Sequence, residues 1–253
     1  QFKSQIEFEF DKKLIKFEKI FCTSTPRRIV LLLEGLVDKG EDEMIIRKGP
    51  KASSAFINGT PTKAAVGFAN SLGIDVDDLE IENTEKGGFV FGKKVRKGES
   101  TRISLSLIIP KVIKSLQGPR FMKWGNGNFK FSRPIRWLVS IYNDEILDFN
   151  LDECDPKIVV GNLSKSHRLI DRVIEINSPD NYFEILAENG VLVKREERKE
   201  KIMNFINQSS ESLNLKPALS EELLNELSDL VEFPNVITGK FDEEFLDLPV
   251  EVL

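Results

Sequence analysis

Arg120-Phe121-Met122-Lys123-Trp124-Gly125-Asn126-Gly127, followed after Asn128 by Phe129-Lys130-Phe131-Ser132-Arg133-Pro134-Ile135-Arg136-Trp137, is the stretch on which the reading of this chain turns. Cations and aromatics interleave through it. Phe129, Phe131, Ile135, Trp137 and Val139 recur at the period of a strand with one face in a core, which sends Lys130 and Arg136 to water. Lys123 and Trp124 instead fall in a glycine-flanked loop. There a cation can neutralise a phosphate and an indole can offer a stacking face, the minimum needed to touch unpaired nucleotides. The spacing predicts strands over residues 129–142, interrupted at Pro134, and over residues 145–151, turned at Asn143-Asp144.

Upstream, Phe2, Ile6, Phe10 and Leu14 recur at intervals of four and predict an amphipathic helix leading into a strand at Phe17–Phe21. Thr25-Pro26 breaks the chain. Ile29-Val30-Leu31-Leu32-Leu33 then reads as a buried strand. Residues 48–98 carry their own punctuation and read as a small inserted module. Thr60 or Thr62 caps a helix that ends at Gly73, and short strands from Val76 to Arg96 turn at Lys86-Gly87-Gly88. A helix from Ser100 to Leu116 follows, and Pro110 is expected to kink it or to start a second one.

Downstream, Ser178-Pro179 is expected to open a helix that Gly190 closes. A charged helix from Lys194 to about Ser209 points Ile202, Phe205 and Ile206 inward. A third starts at Ser220, with Leu223, Leu224, Leu227, Leu230 and Val231 as its buried stripe. The expected fold class is therefore α+β, with mixed and antiparallel sheets, packed helices and a small inserted α/β module. Residues 1–47 and 99–170 form the main α+β domain, 48–98 the inserted module, and 171–253 a mostly helical region.

The chemistry suggested by composition is binding rather than catalysis. The chain has 253 residues, 40% hydrophobic and 30% charged, enough for a sizeable core. A net charge of -5 confines any nucleic-acid contact to a local basic patch. No apolar run reaches the roughly 18 residues of a membrane span. Cys22 and Cys154 lack the paired spacing of a zinc site or disulfide framework, which fits a reducing cytoplasm. Gly87-Gly88-Phe89-Val90-Phe91-Gly92-Lys93-Lys94 approaches a phosphate-cradling loop but places Lys94 where a magnesium-holding hydroxyl belongs, and reads instead as a hairpin. His167 is the single histidine, so no metal centre of several imidazoles and no Asp-His or Cys-His arrangement is expected.

Seven short motifs occur in order: Thr25-Pro26-Arg27-Arg28-Ile29, Lys48-Gly49-Pro50, Gly59-Thr60-Pro61-Thr62-Lys63-Ala64-Ala65, Met122-Lys123-Trp124-Gly125, Arg133-Pro134-Ile135-Arg136-Trp137, Leu230-Val231-Glu232-Phe233-Pro234 and Phe245-Leu246-Asp247-Leu248-Pro249. In sequence and separation the chain resembles the beta subunits of bacterial tetrameric glycyl-tRNA synthetases over nearly its whole length, and it is expected to be an internal piece of one. Ser166-His167-Arg168-Leu169 stands where such proteins commonly show Gly-His-Arg-Phe.

The resemblance implies an α2β2 ligase that joins glycine to tRNA-Gly in the cytoplasm, using ATP and Mg2+ through the separate alpha subunit. This chain would be a non-catalytic part of it, holding no cofactor and no metal, and acting in tRNA binding and subunit scaffolding. The expected tRNA contacts are Arg27, Arg28, Lys123, Trp124, Arg133 and Arg136, with His167 and Arg168. The alternative is a pure protein–protein scaffold that packs on the alpha subunit without touching tRNA.

Overall fold

A computed structural model describes residues 1–85 and 87–249. Seven α-helices and a set of small, mainly antiparallel sheets make this an α+β protein, with no barrel among the described residues. The chain divides into two compact units, one of residues 1–3, 19–34 and 109–253, the other of residues 4–18 and 35–108.

In the second unit, Glu43–Lys51, Gly87–Arg96 and Leu79–Thr84 form a three-stranded antiparallel sheet with the glycine-rich strand in the middle. The helix Lys63–Leu72 covers one face because its sequence starts and stops it there. Thr62 accepts a hydrogen bond from the Ala64 amide at 3.2 Å, and Gly73 takes the left-handed conformation at φ 66°. Gly92 allows the helix its close approach, since a Cβ there would lie 2.3 Å from a Leu72 methyl. Ala55, Ala65 and Val90 form the core beneath, joined by Phe56, Phe68, Val76 and Leu79. The phosphate-loop look-alike is thus a central strand. It opens no helix directly, running on as strand to Arg96, with the next helix starting only at Thr101, and Lys94 donates to the Leu72 carbonyl at 2.8 Å. Thr84 pairs with Gly87 at the turn, while Lys86 of the expected turn lies outside the described residues.

The first unit opens on a hairpin, Lys19–Thr25 with Arg28–Glu34, closed by Pro26-Arg27. The second strand is not buried throughout as its apolar run suggested. Val30 is buried but Ile29 is exposed, because a two-stranded ribbon has one core face and one wet one. The strands expected across residues 129–151 break into two-residue pieces, at Lys130–Phe131, Leu138–Val139, Ile141–Tyr142, Glu145–Ile146 and Asn150–Leu151. Pro134 and a loop at 132–137 interrupt the ladder, and Asn143 turns the Ile141–Ile146 hairpin with φ 53°. Leu138–Val139 then runs parallel to Ile158–Gly161, which pairs antiparallel with Asn150–Leu151.

Among the described residues two apolar clusters stand out in this unit. One joins Val30, Ile174, Ile176, Leu186, Val191 and Val193; the other joins Ile113, Leu151 and Ile158, with Phe129 and Ile135 packed against it. The helix Thr101–Ser115 carries Pro110 inside it without ending there, and its residues belong to both units, the division falling after Ile108.

The later helices are Tyr182–Glu188, Arg195–Leu213 and Glu221–Leu230. The first begins at Tyr182 rather than at Ser178-Pro179. Ser220 caps the last, accepting from the Leu223 amide at 3.1 Å. The leucine stripe expected inside that helix is only partly covered, with Leu224, Leu227 and Val231 half-buried. Leu223 is 43% and Leu230 64% exposed, whereas Ser228 is fully buried. Arg195 grips the flank of the helix, binding Asp229 through two nitrogens, at 2.7 and 2.8 Å, and Asn225 at 3.1 Å, while Asp229 stays exposed.

Candidate nucleic-acid interface

The residues singled out in the sequence fall into two groups, both in the first unit. Met122–Lys123 and Lys130–Phe131 pair as a short hairpin, with Lys123 opposite Lys130. Gly125 turns it at φ 62°, and Asp155 accepts from the Asn126 amide at 2.8 Å. Phe121, Phe129 and Phe131 form its apolar base, with ring centroids 4.9 and 5.8 Å apart. The Trp124 indole N–H donates to the Phe131 carbonyl at 3.0 Å, so this half-buried ring braces the hairpin. Lys123 is exposed and donates to the Asn128 side chain at 3.0 Å. Arg133 and Arg136 are exposed in the irregular segment that follows.

That segment delivers Trp137 to the second group. The guanidinium carbons of Arg27 and Arg28 lie 5.5 and 5.4 Å from the centre of the Trp137 ring, within cation–π range. Arg27 donates to the Ser166 carbonyl at 3.2 Å, and Arg28 to the Lys165 carbonyl. Three stretches of sequence thus meet around the two arginines. Arg27 stays partly open, with 29% of its side chain exposed, whereas Arg28 is buried at 3%.

The carboxylate that neutralises Arg28 comes from Glu232, whose side chain is 4% exposed. It accepts from Arg28 and, at 2.6 Å, from the Thr25 hydroxyl. Its second oxygen has no hydrogen-bond partner and lies 3.6 Å from Arg27. Burial pushes the nearby Tyr182 phenol up to about 12; the Arg28 charge opposes the rise and the Glu232 charge adds to it.

His167 builds backbone. Its amide donates to Asn189 at 3.0 Å, its carbonyl accepts from Ile170 and Asp171, and its Nδ1 accepts from the Leu169 amide at 3.4 Å. Arg168 is exposed beside it. The structure therefore brings Arg27 and Arg28 together with Trp137 and with Ser166, the neighbour of His167. Among the described residues no hydrogen bond or ion pair joins this cluster to the Lys123 hairpin.

Glu232 and Arg198 escaped the sequence reading. Arg198 is fully buried and donates to four carbonyls, those of Ser228, Leu192 and Val193 at 2.8 Å each and of Ser24 at 3.0 Å. Burial pulls its pKa down. The one signal for Glu232 was an acid set between Val231 and Phe233 in an apolar motif, a costly place unless a cation meets it. Burial also raises the thiols of Cys22 and Cys154, and among the described residues no group of three His, Cys, Asp or Glu side chains is placed to hold a metal.

The site is thus that of an α+β protein with two separate features, a pair of arginines over the Trp137 ring and a short hairpin with Lys123 and Lys130 exposed. The chain belongs to the glycyl-tRNA synthetase beta subunit family, whose model matches residues 1–253. It is 43% identical over 253 residues, its full length, to the glycine–tRNA ligase beta subunit of Trichodesmium erythraeum (strain IMS101), of which it covers 35%. It is 39% identical to that of Synechocystis sp. (strain ATCC 27184 / PCC 6803 / Kazusa), with 93% of this chain and 33% of the relative aligned. To that of Clostridioides difficile (strain 630) it is 36% identical, covering 36% of it. The chain spans about a third of the length of these curated relatives. No helix among the described residues is long and apolar enough to cross a membrane.

Proposed function

We propose that this chain serves ATP-dependent glycylation of tRNA-Gly as a non-catalytic, tRNA-holding and scaffolding part of a cytoplasmic glycyl-tRNA synthetase beta subunit. ATP and Mg2+ act through the alpha subunit of the complete enzyme. The observation that carries the tRNA reading is the convergence of Arg27 and Arg28 on Trp137, next to exposed Arg136 and Arg168. Arg27 offers a partly open guanidinium to a phosphate, and Lys123, Arg133 and Arg136 extend the positive surface along the adjoining chain. Arg28, buried against Glu232, supports the site from within.

Titrating the chain into labelled tRNA at rising salt tests this. Neutralising three or four phosphates gives a log–log slope of about -2 to -4. Absence of binding, or binding indifferent to salt, removes the phosphate role.

A second reading, a scaffold that packs on the alpha subunit without touching tRNA, is favoured by the apolar stripe that the last helix turns outward at Leu223 and Leu230. Co-elution with purified alpha subunit that is lost on Leu230→Ser, together with no tRNA affinity, would select it.

A further inference from the structure

Thr25, Arg27 and Arg28 belong to a tight turn near the start of the chain, yet the carboxylate that organises them lies 204 positions beyond Arg28. One oxygen of Glu232 is saturated by the Thr25 hydroxyl at 2.6 Å and by Arg28. The other accepts no hydrogen bond and lies 3.6 Å from the Arg27 guanidinium, an ion-pair distance. A buried carboxylate oxygen without a hydrogen bond is costly, and the field it projects is little screened. Arg27 is the group that feels it. Its remaining contacts are the Ser166 carbonyl at 3.2 Å and the Trp137 ring, neither of which alone fixes the direction of a long, flexible side chain. The ion pair with Glu232 leaves Arg28 no net charge to offer and leaves Arg27 as the cation facing out.

We propose that Glu232 is a positioning residue for an anion-binding Arg27: it neutralises Arg28 and draws the Arg27 guanidinium across Trp137 into the orientation that meets an RNA phosphate. The inference rests on the tRNA-binding reading above. Its test exploits a conflict of signs. Glu232→Gln keeps the shape and makes the chain one charge more positive, so electrostatics alone would tighten binding to RNA. Loss of positioning weakens it.

The experiment measures tRNA affinity of the full chain for the unsubstituted protein, Arg27→Ala, Glu232→Gln and the double variant, at one salt concentration and at a temperature where circular dichroism shows all four folded. Arg27→Ala is expected to weaken binding about tenfold, the loss of one charge-assisted contact. Glu232→Gln is expected to weaken it about fivefold while Arg27 is present and to leave the affinity of the Arg27→Ala chain unchanged or tighter, since the added charge then acts alone, a coupling that a general loss of structure would not produce. Tighter or unchanged binding by Glu232→Gln with Arg27 present, or equal weakening in both backgrounds, overturns the positioning role while leaving the tRNA reading intact. An Arg27→Ala chain that binds as well as the unsubstituted protein sinks the tRNA reading at this site, and the proposal with it. Should Glu232→Gln fail to fold, Thr25→Ala removes one donor to the same carboxylate, and a smaller weakening, again confined to the Arg27 background, is required.

Discussion

Arg198 is the largest fully buried side chain among the described residues, and it carries a charge. Its guanidinium is satisfied by neutral carbonyls rather than by a carboxylate, with donors fanned toward Ser24, Leu192, Val193 and Ser228. Such a fork has no substitute among the other side chains. Truncation orphans four acceptors, so Arg198→Ala is expected to lower stability by at least about 3 kcal/mol in urea unfolding. Arg198→Lys, with its narrower reach, should recover less than half of that.

Tyr182 gives the pH counterpart. A phenol raised to about 12 in the folded protein ionises near 10 when unfolded, so the unfolded chain sheds its proton first. Its contribution is complete below pH 10 and is lost as pH rises from 10 through 12, to a total of about 2–3 kcal/mol. Urea midpoints measured across that range should fall more steeply for the unsubstituted protein than for Tyr182→Phe. Equal slopes would refute the assignment.

Helix starts and stops show which elements write their own instructions. Thr62 accepts from the Ala64 amide and donates its hydroxyl to the Ser54 carbonyl at 2.7 Å, so one side chain both opens the helix and ties it to the preceding turn. Thr62→Ala should cost about 1–2 kcal/mol, read from the thermal midpoint, and Thr62→Ser should restore most of it. Gly73 and Ser220 were legible, and the cap at Thr62 was narrowed to that residue or Thr60, because a cap is settled within three or four residues. The last helix was misread for the opposite reason. Its leucine spacing announces an amphipathic helix but not how much of the stripe is covered, and the contacts of Arg195 with Asp229 and Asn225 come from another helix that the local pattern does not announce. The strand pattern over residues 129–142 failed similarly. Alternation was present, but Pro134 and the Gly125 turn cut the ladder into pieces too short to act as one strand.

At the scale of the whole molecule, sequence gave away the basic-aromatic stretch and its division of labour. Phe129 and Ile135 pack at the edge of a core cluster while Lys123, Arg133 and Arg136 face water. It did not give away the meeting at Trp137, because nothing local in Thr25–Ile29 points to a glutamate two hundred residues on. The acidic balance of -5 bears on function too. On the proposed tRNA reading, a body that repels polyanions confines binding to the local patch, so non-specific binding should fade within the salt range where a polycation would still hold.

The long stitch between the first hairpin and the end of the last helix also sets a timetable. On the ribosome, Ser24, Thr25 and Arg28 emerge before Arg198 and Glu232, which follow 174 to 207 residues later. At about 5–20 residues per second that is a wait of roughly 10–40 s. Through that interval the hairpin carries an uncompensated arginine and an unclaimed carbonyl, so its closing strand must be kept from other partners until the far end of the domain has been made.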